Sequence, residues 1–363
     1  MNEAPAAARL TPLRFDALPG WREDDHGAAF RAFRRGAAVL AEHPVKRRTI
    51  AIDPAALEAA LIQAAALPAD LAGTDARAFF EACFDPVEVV PEGGAFFTGY
   101  YEPVVAGSRV RSRQFSVPLY RPPADLVEID PERPPPGIEP GFRFARRTGG
   151  GFAPYADRGA IAAGLLEGQG LELCFLADPV DAFFIHIQGA ARIRLAEGGT
   201  MRVTYAAKTG HPYTPIGRVL IERGALTRDQ ATMAGIRGWL AAHPAEAGAV
   251  MAQNRSFIFF REAAVDDEGL GPIAAVKVPL SAGRSLAVDR LLHSFHMPVF
   301  IATKLPDGSD FHHLMIAQDT GSAIVGPARG DIFFGSGEAA GAVAGGMRAG
   351  GRFIMLVPKA RGP

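Results

Sequence analysis

Two cysteines among 363 residues are too few for a disulfide framework, and Cys83 and Cys174 show no CxxC or Cys/His spacing, which argues against a structural zinc site. One disulfide or two thiols is all they permit. Charge of one sign is also missing. Thirty-eight Lys and Arg against 39 Asp and Glu leave a formal net charge of −1, so no bulk field draws the chain to nucleic acid or to an anionic membrane. Long apolar runs are absent: no stretch reaches the roughly 18 uncharged apolar residues that span a bilayer. The opening MNEAPAAARLTPLRF holds neither a basic run followed by an apolar one nor a cysteine that would accept a lipid. The chain as given is expected to be soluble. No GxGxxG opens a helix after a strand, and neither GxxxxGK[ST] nor HExxH occurs, so the nucleotide and zinc-protease classes lose their support. His312 and His313 are adjacent on an expected strand and point to opposite faces, which argues against a two-histidine metal site. Neither a cofactor nor a metal is expected.

What is present is ordinary globular composition, 48% hydrophobic and 21% charged, over a length that suits two domains. The first quarter reads as helix. HGAAFRAFRRGAAVLAE sets Phe30, Phe33, Ala37 and Leu40 on one face, and PAALEAALIQAAALP and DARAFFEACF repeat that spacing. After VVPEGGAFFTGYYEPVVAGSR the texture turns to short β-rich segments, with seven prolines between 121 and 140 marking an irregular connection. DAFFIHIQGAARIRL reads as a strand with Phe184, His186 and Gln188 on one face. Thr227 with Gln230 three residues on reads as the capping box that opens a helix. Short strands with few long helices between them favour a mainly β fold with peripheral helices, built on antiparallel or mixed barrels rather than a doubly wound sheet.

The chemistry concentrates in LMIAQDTGSAIVGPARGDIFFGSG, residues 314 to 337. Asp-Thr-Gly-Ser after an apolar strand is how an aspartic protease presents its acid, but such an enzyme needs two aspartates sharing a proton and the chain has one such loop. The second aspartate, Asp331, precedes Ile332, Phe333 and Phe334, neighbours that would desolvate a carboxyl group and raise its pKa, as a general acid requires. Asp319 sits among more hydrogen-bonding groups and is expected to stay ionised. The plainer alternative makes both aspartates turn residues. In FFTGYYEPV, Tyr100 and Tyr101 suit stacking on sugars, or else form one core and one surface residue of a strand. His186 reads as structural, whereas Gln188 beside Gly189 is a candidate for sugar hydroxyls because an amide both donates and accepts. Lys208 and Tyr213 lie in YAAKTGHPYTPIG, an ordered loop of the kind that carries function.

Together FFTGYYEPV, YADRGAI, DAFFIHIQGAARIRL, YAAKTGHPYTPIGR, NRSFIFFRE and AQDTGSAIVGPARGDIFFGSGEAAG resemble the lytic transglycosylase A (MltA) family, in family order over roughly residues 93 to 360. That resemblance implies a double-psi β-barrel made from both ends of the chain, residues 1–104 and 241–363 with the N-terminal helices. A smaller β-rich domain, residues 105–240, would be inserted as the other wall of a groove for a peptidoglycan glycan strand. It implies a lyase that cuts between N-acetylmuramic acid and N-acetylglucosamine and leaves 1,6-anhydro ends. Asp331 would be the single catalytic acid and Asp319 its support, with Thr98, Gly99, Tyr100 and Tyr101 in the substrate groove. A monomer in the periplasm, associated with the outer membrane and with cell-wall machinery, follows from the same resemblance. The competing reading is a noncatalytic carbohydrate-binding protein on the same barrel.

Overall fold

The computed structural model describes residues 8–50, 52–264 and 267–359. It divides into two compact units, Met1–Tyr101 with Glu268–Pro363, and Glu102–Asp267. Residues 241–267, expected with the first unit, fall in the second. Strand pairing accounts for it, because Ile258–Ala263 lies antiparallel to Thr200–Lys208.

In the first unit the strands are β1 (Ala8–Pro12), β2 (Phe84–Pro91), β3 (Ala95–Glu102), β4 (Ser285–Val288), β5 (Pro298–Lys304), β6 (Asp310–Asp319), β7 (Arg329–Ser336) and β8 (Arg348–Pro358). They form one mixed sheet in the order β1-β2-β8-β5-β6-β4-β7-β3, and β3 pairs in addition with β8, so six of the strands close into a ring. Closure leaves those six no free edge. β4 is the special member, parallel to β6 on one side and antiparallel to β7 on the other.

Three helices supply a large part of this unit's core: α1 (His26–Arg34), α2 (Pro54–Ala65) and α3 (Gly73–Cys83). Local sequence starts two of them. Asp25 caps α1 by accepting from the Ala28 N–H at 2.9 Å, and Asp53 caps α2 with Pro54 behind it at a position where the missing N–H costs nothing. α1 then buries Phe30 and Phe33, α2 buries Leu57, Leu61 and Ala64 at helical spacing, and Phe79 and Phe80 of α3 meet the two phenylalanines of α1 edge-on. The segment before α1 is tied to the sheet by Asp24, whose side chain is fully buried and takes bonds from Arg284, His313 and the Leu314 N–H. Burial works against its charge, but His313, Arg284 and Leu314 together hold the carboxyl below its ordinary value. A further short helix, α4 (Glu338–Gly346), follows β7.

The second unit contains a six-stranded sheet ordered Ile258–Ala263, Thr200–Lys208, Ala190–Leu195, Val104–Ser108, Glu172–Leu176, Val117–Tyr120, together with a three-stranded sheet. At its start Glu102, with no exposed side chain, accepts from Arg192 at 2.6 Å and Arg202 at 2.7 Å. Two readings of the sequence are corrected here. Residues 179 to 188 form a helix, Pro179–Gln188, rather than part of a strand. The cause is capping: Asp178 accepts from the Val180 N–H, Pro179 occupies the first turn, and Gly189 closes the end at φ 78°. Phe184 and Gln188 stay on one face at i, i+4, and His186 turns away from them. The Thr227–Gln230 box does form, with reciprocal bonds of 3.0 and 3.3 Å, but it closes a turn. The helix begins later, at Met233, capped by Thr232. Among the described residues no helix is long and apolar enough to cross a membrane.

Candidate active site

β4 is short and buried throughout, and its Ala287 stands in register with Asp319 on β6 and with Asp331 on β7. Two strand spacings of about 4.8 Å put the backbones of the two aspartates about 10 Å apart. Only a methyl group stands on the residue between them. A register shift between Leu286 and Ala287 is what brings Asp319, at the end of β6, opposite Ala287.

β3 serves both carboxyls. Thr98 and Tyr100 lie two residues apart on one face of it. The Thr98 hydroxyl donates to Asp331 Oδ1, and the Tyr100 hydroxyl donates to Asp319 Oδ2 at 3.0 Å. Asp319 Oδ1 also accepts from the Ala275 N–H at 3.3 Å. Behind Tyr100 lies Phe333, their ring centroids 5.3 Å apart. Gly99 faces the other way. A Cβ there would come within 2.6 Å of the Phe334 ring and 2.8 Å of Ala344 Cα on α4, so only glycine lets the strand and helix approach this closely. Tyr101 is buried, its ring against Gly341 of α4.

The electrostatics follow from crowding. Burial raises Asp331 above its ordinary value, opposed by the Thr98 hydrogen bond and by the positive charge of Arg329. Burial also raises Asp319, to about 6, although the Thr320 and Ala275 amides and Tyr100 pull the other way, and the nearby charge of Asp331 adds to the rise. Of the neighbours expected to bond Asp319 only Thr320 does so, with Ala275 and Tyr100 as the other donors, and desolvation outweighs all three. Burial, followed by the two carboxylates, pushes the Tyr100 phenol well above its usual range, so it remains a donor.

Sequence reasoning missed Arg329. Its Nη2 donates to Thr98 Oγ1 at 2.6 Å, its Nη1 donates to the Gly330 carbonyl, and its guanidinium lies 5.3 Å from the centroid of the Phe96 ring. The signal was available, since a residue two before Asp331 on a strand shares its face.

The remaining four candidates lie in the second unit. Gln188 ends its helix, Gly189 is the left-handed residue after it, Lys208 ends a strand, and Tyr213 is in the following loop. Burial raises the Tyr213 phenol, with Arg158 pulling it back. His186 is buried and neutral: burial and then Arg158 hold it well below its ordinary value, and its Nδ1 lies 2.8 Å from Arg158 Nη1 as acceptor. Both cysteines are free thiols. Among the described residues no group of His, Cys, Asp or Glu is arranged to hold a metal ion.

Comparison with known proteins agrees with this architecture. Residues 96–261 match the family model described as the MltA specific insert domain, and residues 284–357 match the 3D domain. A crystal structure of membrane-bound lytic murein transglycosylase from Agrobacterium tumefaciens is similar with a TM-score of 0.89 and 43% identity, covering 96% of this chain and 97% of that one. MltA from Neisseria gonorrhoeae is similar with a TM-score of 0.81 and 31% identity, covering 99% and 97%. Membrane-bound lytic murein transglycosylase A of Escherichia coli (strain K12) is 32% identical over 273 residues, 73% of this chain. The chain spans 66% of the length of that curated relative. These matches define the class, a two-part chain built like the lytic murein transglycosylases. The chain belongs to the MltA family.

Proposed function

We propose that the protein is a peptidoglycan lytic transglycosylase that cleaves the β-1,4 bond between N-acetylmuramic acid and N-acetylglucosamine with a single acid, Asp331. The observation that carries this reading is a carboxyl group raised by burial, held at one oxygen by Thr98, on a chain of this family. Protonated Asp331 gives its proton to the glycosidic oxygen as that bond breaks. The carboxylate left behind takes the proton of the muramic acid C6 hydroxyl as the hydroxyl oxygen bonds to C1, which yields a 1,6-anhydro end and consumes no water. Because the nucleophile belongs to the same sugar, effective concentration replaces the second carboxylate of ordinary glycosidases. Asp319, held by Tyr100, supports the positive charge that develops at C1.

The closed ring of six strands is, on this reading, a double-psi barrel. Thr98, Gly99, Tyr100 and Tyr101 shape the sugar site on β3, and Gln188, Gly189, Lys208 and Tyr213 of the second unit also contact glycan. The substrate places the enzyme in the periplasm, associated with the outer membrane and acting as a monomer alongside cell-wall machinery.

The test is mass spectrometry of purified sacculi after incubation with the protein and with Asp331→Asn. The wild type is expected to release 1,6-anhydromuropeptides and the variant to fall by about 10²–10⁴-fold, the usual worth of a general acid. Products with reducing ends would mean that water is the nucleophile and that a second carboxylate is needed. Binding of sacculi without release would make the protein a carbohydrate-binding module.

A further inference from the structure

The Thr98 hydroxyl has one hydrogen and two lone pairs. It takes a hydrogen bond from Arg329 Nη2 at 2.6 Å. Arginine has no acceptor and does not lose its charge in proteins, so the direction of that bond is settled. The single hydroxyl hydrogen is left for the other partner, Asp331 Oδ1. From this bookkeeping we infer that Arg329 is a positioning residue which, acting through Thr98, confines the acid proton of Asp331 to Oδ2.

The reasoning is steric and electrostatic. A proton on Oδ1 would face the hydrogen that Thr98 already directs there, so protonated Asp331 carries its proton on Oδ2, the oxygen that Thr98 leaves free. Once Oδ2 has given up the proton, the same chain of donors stabilises the new carboxylate, because a hydroxyl polarised by a cation is a stronger donor. Without the guanidinium the hydroxyl is free to rotate and accept, and the proton spreads onto Oδ1, where it is turned away from the scissile bond. Arg329 is itself held for this task. Its Nη1 donates to the Gly330 carbonyl beside Asp331, and the exposed Phe96 ring lies 5.3 Å from its charge. Phe96, Thr98 and Tyr100 occupy alternate positions of β3, so one strand face carries the support for the arginine, the relay and the donor to Asp319.

This inference rests on the proposed role of Asp331, so its test reads protonation and does not require turnover. The Asp331 carboxyl is followed by ¹³C NMR titration of ¹³C-aspartate protein, its signal assigned by its loss in Asp331→Asn. Arg329→Met is expected to raise the Asp331 pKa by about one unit, a tenfold change in protonation equilibrium, as expected for loss of a charge-assisted bond. Thr98→Val, nearly isosteric, is expected to do the same. The double variant is expected to add nothing to either, because the two residues act in series. Arg329→Lys, which can still donate to Thr98, is expected to return most of the shift. A carboxyl that titrates normally in a folded Arg329→Met protein would overturn the inference. So would additive shifts in the double variant, which would mean that the arginine acts on Asp331 by charge alone. Should Arg329→Met not fold, Thr98→Val alone and Arg329→Lys decide by the same readout. If the protonation results come out as expected while sacculi stay intact, it is the transglycosylase reading that fails and not the relay.

Discussion

Asp319 shows how far a single residue departs from what its neighbours in sequence suggest. Thr320, Gly321 and Ser322 promise hydrogen bonds and an ionised carboxylate; of the three the Thr320 amide supplies one, Ala275 and Tyr100 from elsewhere in the chain supply the others, and burial still raises the group from 3.8 to about 6. A carboxyl with a raised folded pKa keeps its proton where the unfolded chain has lost it. Its contribution to stability is therefore complete below about 3.8 and is lost as pH rises through about 6. Asp319→Asn removes that loss. Its unfolding free energy at pH 7 is expected to exceed the wild type's by up to about 3 kcal/mol, with no such gain at pH 4, in denaturant titrations at both values. Thr98, Tyr100, Asp319 and Asp331 were all legible as candidates in the sequence. The pairing among them was not, because strands 200 or more residues apart set it: Thr98 and Asp331 are separated by 233 positions and Tyr100 and Asp319 by 219.

At the scale of an element, the helix Pro179–Gln188 teaches most. Its apolar core FFIHI looks like a strand, since two phenylalanines and two isoleucines are good β formers. The deciding residues stand at its ends, Asp178 and Pro179 before it and Gly189 after it, and end signals outrank composition here. Gly189→Ala forces a side chain into φ 78°, although nothing lies within 4 Å of the new Cβ. The expected cost is about 1 kcal/mol, purely conformational, and Gly189→Asn is expected to recover part of it in thermal melts. The helices α1 and α2 were legible from their spacing, although the first, read through Glu42, stops at Arg34, where the tighter turn Arg35–Val39 takes over. The Thr227–Gln230 box shows the reverse case, a local motif that forms without a helix behind it.

Across the whole molecule, buried neutral histidines set the response to acid. Burial holds His293 at about 4 against the opposing pull of the Pro327 carbonyl and Asp289, burial alone holds His296 at about 4, and burial with Arg158 holds His186 well below its ordinary value. Each remains neutral when folded while the unfolded chain takes up a proton below about 6.5, so stability is lost as pH falls from about 6.5 toward 4. Asp319 works in the opposite direction over part of that window and cancels about one proton. Net acid lability is expected, with ΔG of unfolding dropping by about 1.4 kcal/mol per pH unit for each uncompensated proton. His296 has φ 67°, a backbone conformation that asparagine also tolerates, so His296→Asn is the variant to make. It is expected to lower stability at pH 7 through lost packing and to reduce the acid slope by one proton.

The order in which the chain is made gives the ring closure a further meaning. β3, which carries Thr98 and Tyr100, leaves the ribosome early, whereas β8, which pairs with β3, β2 and β5, comes at residues 348–358. Thr98 must wait for Arg348, 250 positions downstream, before the ring shuts around it (348 minus 98). Contacts so distant in sequence form slowly and late. On the proposed function, the site is therefore gathered only after β8 has been made: a growing chain that has reached β7 already carries Asp331 but not yet the closed ring that holds Thr98 beside it.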